Sequence, residues 1–287
     1  MKNADNDTCL IVEGGGFKTG FTSGILDALM VSQFRPFNQY IGISGGAVAL
    51  SYFLSKQYRF CLNAILLLAQ DKNFTNYKRT LGEQGFMDID FIAAVAEKEV
   101  RFDLNKALTE SNQYPVNFIA TNRKTGSPGY IVPTANTWID ALIASCALPF
   151  VTKGKHQLAG EEYFDGGWSD PLPVKWAYKQ GAKKILVLRT WPAGIRSAQS
   201  WTDYFGSIYY SSEPQLKTVF EKCHQNYNEG VAFIENPPDD VTIEQIAPVK
   251  LLKSGTYSYS KKSIMGDYRY GLDCGVRYVE KVRQDRT

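Results

Sequence analysis

Ser44 stands in "GISGG", residues 42–46, a G-x-S-x-G in which Gly42 and Gly46 flank a hydroxyl with the small residues that a sharp strand-to-helix turn requires. A serine hydroxyl becomes a nucleophile when a base takes its proton, most often a histidine held by a carboxylate. The chain has two histidines, His156 in the polar "VTKGKHQLAGEE" and His224 in the charged "FEKCHQNYNEG". His156 resembles part of an exposed turn. For each, a solvated or partly packed surface residue is the simpler reading, because neither lies in a motif that positions a catalytic loop. A carboxylate acting directly is the other option. Asp165 in "YFDGGWSDPLP" is best placed for it, since an aspartate followed by Gly166 and Gly167 at the end of an aromatic run points to a carboxylate on a tight turn. D-G is also a common turn with no chemistry attached. Asp170, before Pro171 in the same loop, reads as a turn residue or helix cap.

A second constellation is "EGGGFKTG", residues 13–20. Three consecutive glycines, Gly14, Gly15 and Gly16, can turn successive N–H groups into one small concavity, and the Lys18 cation would reinforce it. Acyl transfer needs donors of this kind aimed at the developing oxyanion, and loss of one costs on the order of 3 kcal/mol. Phosphate cradling is the rival use of such a loop. The G-x-x-x-x-G-K-[ST] pattern fails because Phe17 precedes Lys18, and G-x-G-x-x-G fails because Thr19 stands where its last glycine would be.

These residues need elements to hold them. A short buried strand over residues 9–12 leads into the glycine run and a helix over 22–30, and "QYIGIS" leads through Ser44 into a buried helix over 45–55. Two strand-turn-helix units in succession predict an α/β fold: a central, mostly parallel sheet with helices on both faces, a three-layer sandwich. Residues 56–110 read as mainly helical, with "FCLNAILLLAQ" as a core helix. Strands are expected at "PVNFIATN", "GYIVPT" and 183–190. A helix capped at Asn136 or Thr137 covers "WIDALIASCA" and stops before Pro149. Residues 191–287 promise a strand at "VTIEQIAP" and a last helix over 263–282. No repeat or linker divides the chain, so one domain is expected over 1–287, with a catalytic core over about 8–190 and a cover over about 191–287.

At 287 residues and 44% hydrophobic content the chain can bury a sizeable core, and a net charge of +3 is too small for a nucleic-acid binder. Five cysteines without CxxC spacing favour free thiols in a reducing, cytoplasmic setting and imply no zinc or other metal site. The first residues lack the charged start and apolar stretch of a secretory leader, and no run approaches the roughly 18 apolar residues of a membrane span. Contact with a membrane would therefore be peripheral. The aromatic stretch at 201–214 could serve there as an interfacial lid, or simply as core and cover.

Taken in order, "EGGGFKTG", "GISGG", "SCALPF" and "FDGG" resemble the patatin-like phospholipases, most closely the compact bacterial members, over residues 10–190. The resemblance implies a lipid acyl hydrolase with no cofactor. It makes Ser44 the nucleophile and Asp165 the general base of a dyad, and gives the oxyanion hole to the backbone of Gly14, Gly15 and Gly16 with Lys18 beside them. Thr19 departs from the glycine that many members have after the basic residue, and Cys146 stands at a position often small and uncharged. A thioesterase or small-ester hydrolase would share these motifs. A triad through His224 or His156 and a catalytically silent lipid-binding protein are the other readings.

Overall fold

The computed structural model describes residues 7–72, 74–76, 78 and 85–285. The reading of the first six residues, and the parts of the helical reading at 73, 77 and 79–84, lie outside the described residues, as do the last two positions.

The first half runs β1 (Thr8–Val12), α1 (Thr19–Val31), β2 (Gln39–Ile43), α2 (Gly45–Leu54), α3 (Phe60–Gln70), α4 (Phe91–Ala94), α5 (Leu104–Ser111), β3 (Val116–Asn122), β4 (Pro128–Ile131) and α6 (Trp138–Cys146). It continues with β5 (His156–Leu158), β6 (Glu161–Asp165), α7 (Val174–Lys179), β7 (Lys184–Leu188), α8 (Trp201–Tyr209), α9 (Pro214–Glu235), β8 (Thr242–Ile246) and α10 (Lys261–Gln284). The strands form one sheet in the order β5-β6-β3-β2-β1-β7-β8, with β4 also on β3. The central pairs, β3 with β2, β2 with β1, β1 with β7 and β7 with β8, are parallel, and the β4, β5 and β6 pairings are antiparallel.

Side chains alternate across a strand, and here both faces are apolar, which dictates helices on both sides. Leu10 and Val12 of β1 join Phe118 of β3 and Leu186 of β7 in a core covered by α1, α2, α3, α6 and α10. Cys9 and Ile11 join Ile41, Ile119 and Val187 in a second core under α7 and α9. The structure is therefore the three-layer α/β sandwich expected. Residues beyond 190 enter both layers, because β8 extends the parallel sheet beside β7 and α10 packs along α1.

Several elements differ in extent. The first helix begins at Thr19, three residues early, because Gly16–Lys18 already forms a 3-10 turn that feeds it. Thr137 occupies the cap position of α6 without a side-chain bond to the helix, its hydroxyl being taken by Thr134. β4 ends at Ile131 and leaves Val132 exposed. His156 lies in a strand, where its Nε2 is 2.9 Å from Asp140 Oδ1, so it is no exposed turn. Among the described residues no helix is long and apolar enough to cross a membrane.

Candidate active site

β2 ends at Ile43 and α2 begins at Gly45, so strand passes into helix through the single residue Ser44, at φ 52° and ψ −131°. Such a backbone costs a residue with a side chain about 1–3 kcal/mol and persists only where its surroundings enforce it. The enforcement is visible. Ser44 N–H donates to Ser145 Oγ (2.9 Å), and that hydroxyl donates to the Ile119 carbonyl (2.6 Å), tying the elbow through α6 to β3. A Cβ on Gly42 would stand 2.5 Å from Ala47 Cα, and one on Gly46 would stand 2.2 Å from the Val12 carbonyl oxygen. Those two glycines let α2 close onto the strands behind the serine. The positive end of the α2 dipole starts one residue beyond it.

The sheet register brings the carboxylate to the same end. Ile43 pairs with Ile119 across the parallel ladder, and Ala120 pairs with Asp165 across the next. Asp165 Oδ1 accepts from Gly167 N–H at 2.8 Å, while Oδ2 is buried without a hydrogen-bond partner. Burial pushes this carboxyl up to about 6, and the Ser44 hydroxyl and the Gly167 N–H pull it partly back. The serine is thus close enough to stabilise the carboxylate, although no aligned bond joins it to Oδ2.

The glycine loop lies over this pair. A Cβ on Gly14 would stand 2.9 Å from Ser44 Cβ. Gly16 sits at φ 56°, where a Cβ would come within 2.2 Å of the Thr256 carbonyl oxygen. Among the described residues no acceptor takes the Gly14 or Gly15 N–H. The loop is anchored by groups that the sequence did not single out. Thr190 Oγ1 donates to the Gly14 carbonyl (2.8 Å), and the Glu13 carboxylate accepts from Thr190 N–H and from Arg189 Nε (3.3 Å). Arg189, fully buried, also donates to Tyr227 OH (2.7 Å) and Gln245 Oε1 (2.9 Å).

Lys18 is buried with its Nζ 4.0 Å from the centre of the Trp191 ring. Burial lowers its pKa to about 8, against the attraction of Glu13. Thr19, the departure in the loop, is also buried. Its Oγ1 has no hydrogen-bond partner and fills the space where a Cβ on Gly45 would lie, 2.1 Å away. The bare Cα of Gly45 is what accommodates a side chain at position 19.

Two cavities meet at Ser44. One, of about 470 Å³, is lined by Gly14, Gly15, Lys18, Asp165, Trp191 and His224 among others. The second, about 80 Å³, is apolar and runs beneath α2 between Val48, Ile65, Leu68, Met87, Ile92 and Cys146. Gly16, Ser44 and Leu148 line both. His156 lines neither. His224, on α9, is half-buried at the rim of the larger cavity, the partly packed alternative of its sequence reading. Asp170 caps no helix: its Oδ2 accepts from Tyr130 OH at 2.7 Å, and α7 starts after Pro173.

A strained serine between strand and helix, a buried carboxylate beside it and a glycine loop above are set in a three-layer α/β fold. Comparison with known proteins agrees: the patatin-like phospholipase family matches residues 10–178, and the chain belongs to that family. A second match, to a domain of unknown function (DUF6363), covers residues 213–284. Among curated proteins, YjjU of Escherichia coli (strain K12), described as uncharacterized, is 31% identical over 276 residues, spanning 95% of this chain and 77% of that protein. Among solved structures, VipD from Legionella pneumophila aligns with 96% of this chain and 67% of its own, at 11% identity and a TM-score of 0.45.

Proposed function

We propose that the chain is a serine acyl-ester hydrolase of lipids, of the phospholipase A or lipid acyl hydrolase type, with Ser44 as nucleophile and Asp165 as general base. The observation that carries the reading is the unpartnered, buried Oδ2 of Asp165 beside a serine held at positive φ. A small rotation aligns the Ser44 hydroxyl with that oxygen, a tightening common when substrate binds. The proton passes from Ser44 Oγ to Asp165 as Oγ attacks the acyl carbonyl. The N–H groups of the Gly14–Gly16 loop receive the oxyanion, with the Lys18 charge nearby. The ester C–O bond then breaks and the proton moves to the departing alcohol oxygen. Water, deprotonated by Asp165, attacks the acyl-serine; the acyl C–Oγ bond breaks, the proton returns from Asp165 to Ser44 Oγ, and the fatty acid is released.

The two cavities support a lipid over a small soluble ester. The apolar one beneath α2 suits the start of an acyl chain, and the larger one has room for an alcohol and head group. Peripheral membrane contact belongs to the same reading. α8 exposes Trp201 (77%), Phe205 (60%) and Tyr209 (70%), and Ser200 and Asp203 at its start line the cavity rim, so an aromatic face lies beside the opening through which lipid would enter.

The decisive experiment combines labelling by a fluorophosphonate with mass spectrometry of products from mixed phospholipid vesicles. Wild type should take the label and release fatty acid. Ser44→Ala should lose both, and Asp165→Asn should fall at least about 10³-fold in turnover. Turnover restricted to thioesters or short esters would replace the lipid substrate, and absence of labelling would leave a silent lipid-binding protein.

A further inference from the structure

The rim of the large cavity holds a donor set that the dyad does not use. Asp203 lies in the first turn of α8, and Cys223 and His224 are consecutive on α9. One carboxylate oxygen, the Cys223 Sγ and one imidazole nitrogen lie within 4.8 Å of one another. All three residues line the cavity that reaches Ser44.

The described residues around the set supply no cation and leave one imidazole nitrogen bare. Asp203 is buried (5% exposed), and its Oδ2 accepts from the Ser200 N–H at 2.7 Å in the capping box of α8. Among the described residues no cation pairs with it within 4.0 Å. A buried carboxylate without a counter-charge is costly. His224 Nδ1 is buried and has no hydrogen-bond partner. The Cys223 thiol lies 3.6 Å from the Phe220 carbonyl and within hydrogen-bonding reach of the Asp203 carboxylate, so carboxylate and sulfur already face each other. A cation that accepts lone pairs from all three would balance the carboxylate and use the bare imidazole nitrogen and the sulfur together.

We propose that Asp203, Cys223 and His224 form a binding site for a zinc-type divalent cation at the cavity rim, distinct from the Ser44–Asp165 pair. Thiolate and imidazole select zinc over magnesium or calcium, which prefer all-oxygen shells. Tetrahedral zinc, with ligands at about 2.0–2.3 Å, sets donors roughly 3–4 Å apart, so the cluster needs to contract by about 1 Å. Cys223 loses its proton to solvent as the metal–sulfur bond forms. Three protein ligands leave a fourth position, as in open zinc sites, for water or an anionic oxygen from the cavity. The ion also fastens the start of the aromatic helix α8 to α9, so occupancy couples to the position of the face proposed to meet lipid. Sequence spacing conceals the set because Asp203 comes from another helix and Cys223 and His224 form no familiar metal motif.

The test uses the full chain stripped with chelator and titrated with cobalt(II), then zinc. One equivalent of cobalt should produce thiolate-to-metal charge-transfer absorption, which zinc abolishes. Cys223→Ser should lose the band, and His224→Gln and Asp203→Asn should each lose at least tenfold in zinc affinity. Ser44→Ala, inactive under the proposed function, should bind as wild type, which keeps the two proposals separable. X-ray absorption at the zinc edge of the wild-type protein should give one sulfur with nitrogen or oxygen neighbours, a reading that needs no variant to fold. Absence of the band, its persistence in Cys223→Ser, a smaller loss in the other variants, or a zinc shell without sulfur each overturns the site.

Discussion

Under the proposed function, Asp165 is the group whose titration sets the pH at which Ser44 can be deprotonated. Its carboxyl is raised to about 6 by burial, and a general base works in its deprotonated form, so kcat/KM should rise as pH climbs through about 6 and be lost below it. Lys18, lowered to about 8, supplies the opposite limb: its charge is lost above that pH and activity should fall again. Lys18→Arg tests the assignment, because guanidinium keeps its charge and the upper limb should flatten. A profile of kcat/KM from about pH 4.5 to 9.5 for both proteins reads this directly, and a variant profile with the same upper inflection would dissociate Lys18 from it. Ser145 holds the elbow through its hydroxyl, which accepts from the Ser44 N–H. Ser145→Ala leaves the Ser44 N–H unpaired at a strained residue and should cost about 1–3 kcal/mol of stability, read as a lower denaturant midpoint. Ser44, Asp165 and the three glycines were legible because each carries a local signature of small residues at a turn. Ser145 and the Glu13–Arg189 clamp were not, since their partners lie 101 and 176 residues away and no local pattern encodes a pairing that only the closed sheet creates.

At the scale of elements, α1 and α10 approach almost backbone to backbone. A Cβ on Gly24 would lie 2.1 Å from the Tyr268 carbonyl oxygen, and one on Gly271 would lie 1.9 Å from that of Phe21. A side chain on Gly271 must force apart a pair of helices that together cover one core, so Gly271→Val should destabilise by roughly 3 kcal/mol. Gly266→Ala on the same helix meets only the Lys253 side chain at 3.8 Å and should be neutral or stabilising by up to about 1 kcal/mol. Chemical denaturation of these two variants separates close packing from helix propensity, and equal shifts would refute the packing account. The strand-turn-helix units around Gly14 and Ser44 could be read in advance because their apolar runs and glycines are contiguous. The role of α10 could not, because its small residues acquire meaning only against α1, far earlier in the chain. α8 presents the converse case, a helix whose aromatic residues face outward although aromatic runs usually signal core. Trp201→Ser with Phe205→Ser should weaken co-sedimentation with phospholipid vesicles severalfold while leaving turnover of a soluble short-chain ester near wild type. Equal loss on both substrates would remove α8 from membrane contact.

For the whole molecule, three carboxyls raised by burial, of which Asp165 alone lies in the candidate site, work against stability near neutral pH. Asp27, Asp165 and Asp170 are each raised to about 6 by burial. In the unfolded chain an aspartate releases its proton near about 4. Between about 4 and 6 the folded state therefore binds more protons than the unfolded one, and the free energy of unfolding declines as pH rises through that window. Carboxyls lowered by ion pairs, such as Asp240 beside Lys183 and Glu235 beside Arg196, act in the opposite sense, but they lie at the surface, where solvent screens the effect. Asp27 accepts from Tyr268 OH at 2.8 Å and from the Arg59 N–H, so it offsets some of its cost by joining α10 to the start of α3. Asp165 has the Gly167 N–H and the nearby Ser44 hydroxyl, while its buried Oδ2 has no aligned hydrogen-bond partner, so its charge is only partly compensated. Asp165→Asn should consequently abolish turnover and raise the melting temperature by a few degrees at about pH 8, where up to about 3 kcal/mol is recoverable because burial holds the carboxyl at about 6 instead of about 4. The gain should fade as pH falls toward about 4, where the wild-type carboxyl becomes protonated in both states. Scanning calorimetry of the two proteins between about pH 4.5 and 8 decides it: a difference in melting temperature independent of pH would mean that the buried carboxylate stores no such cost.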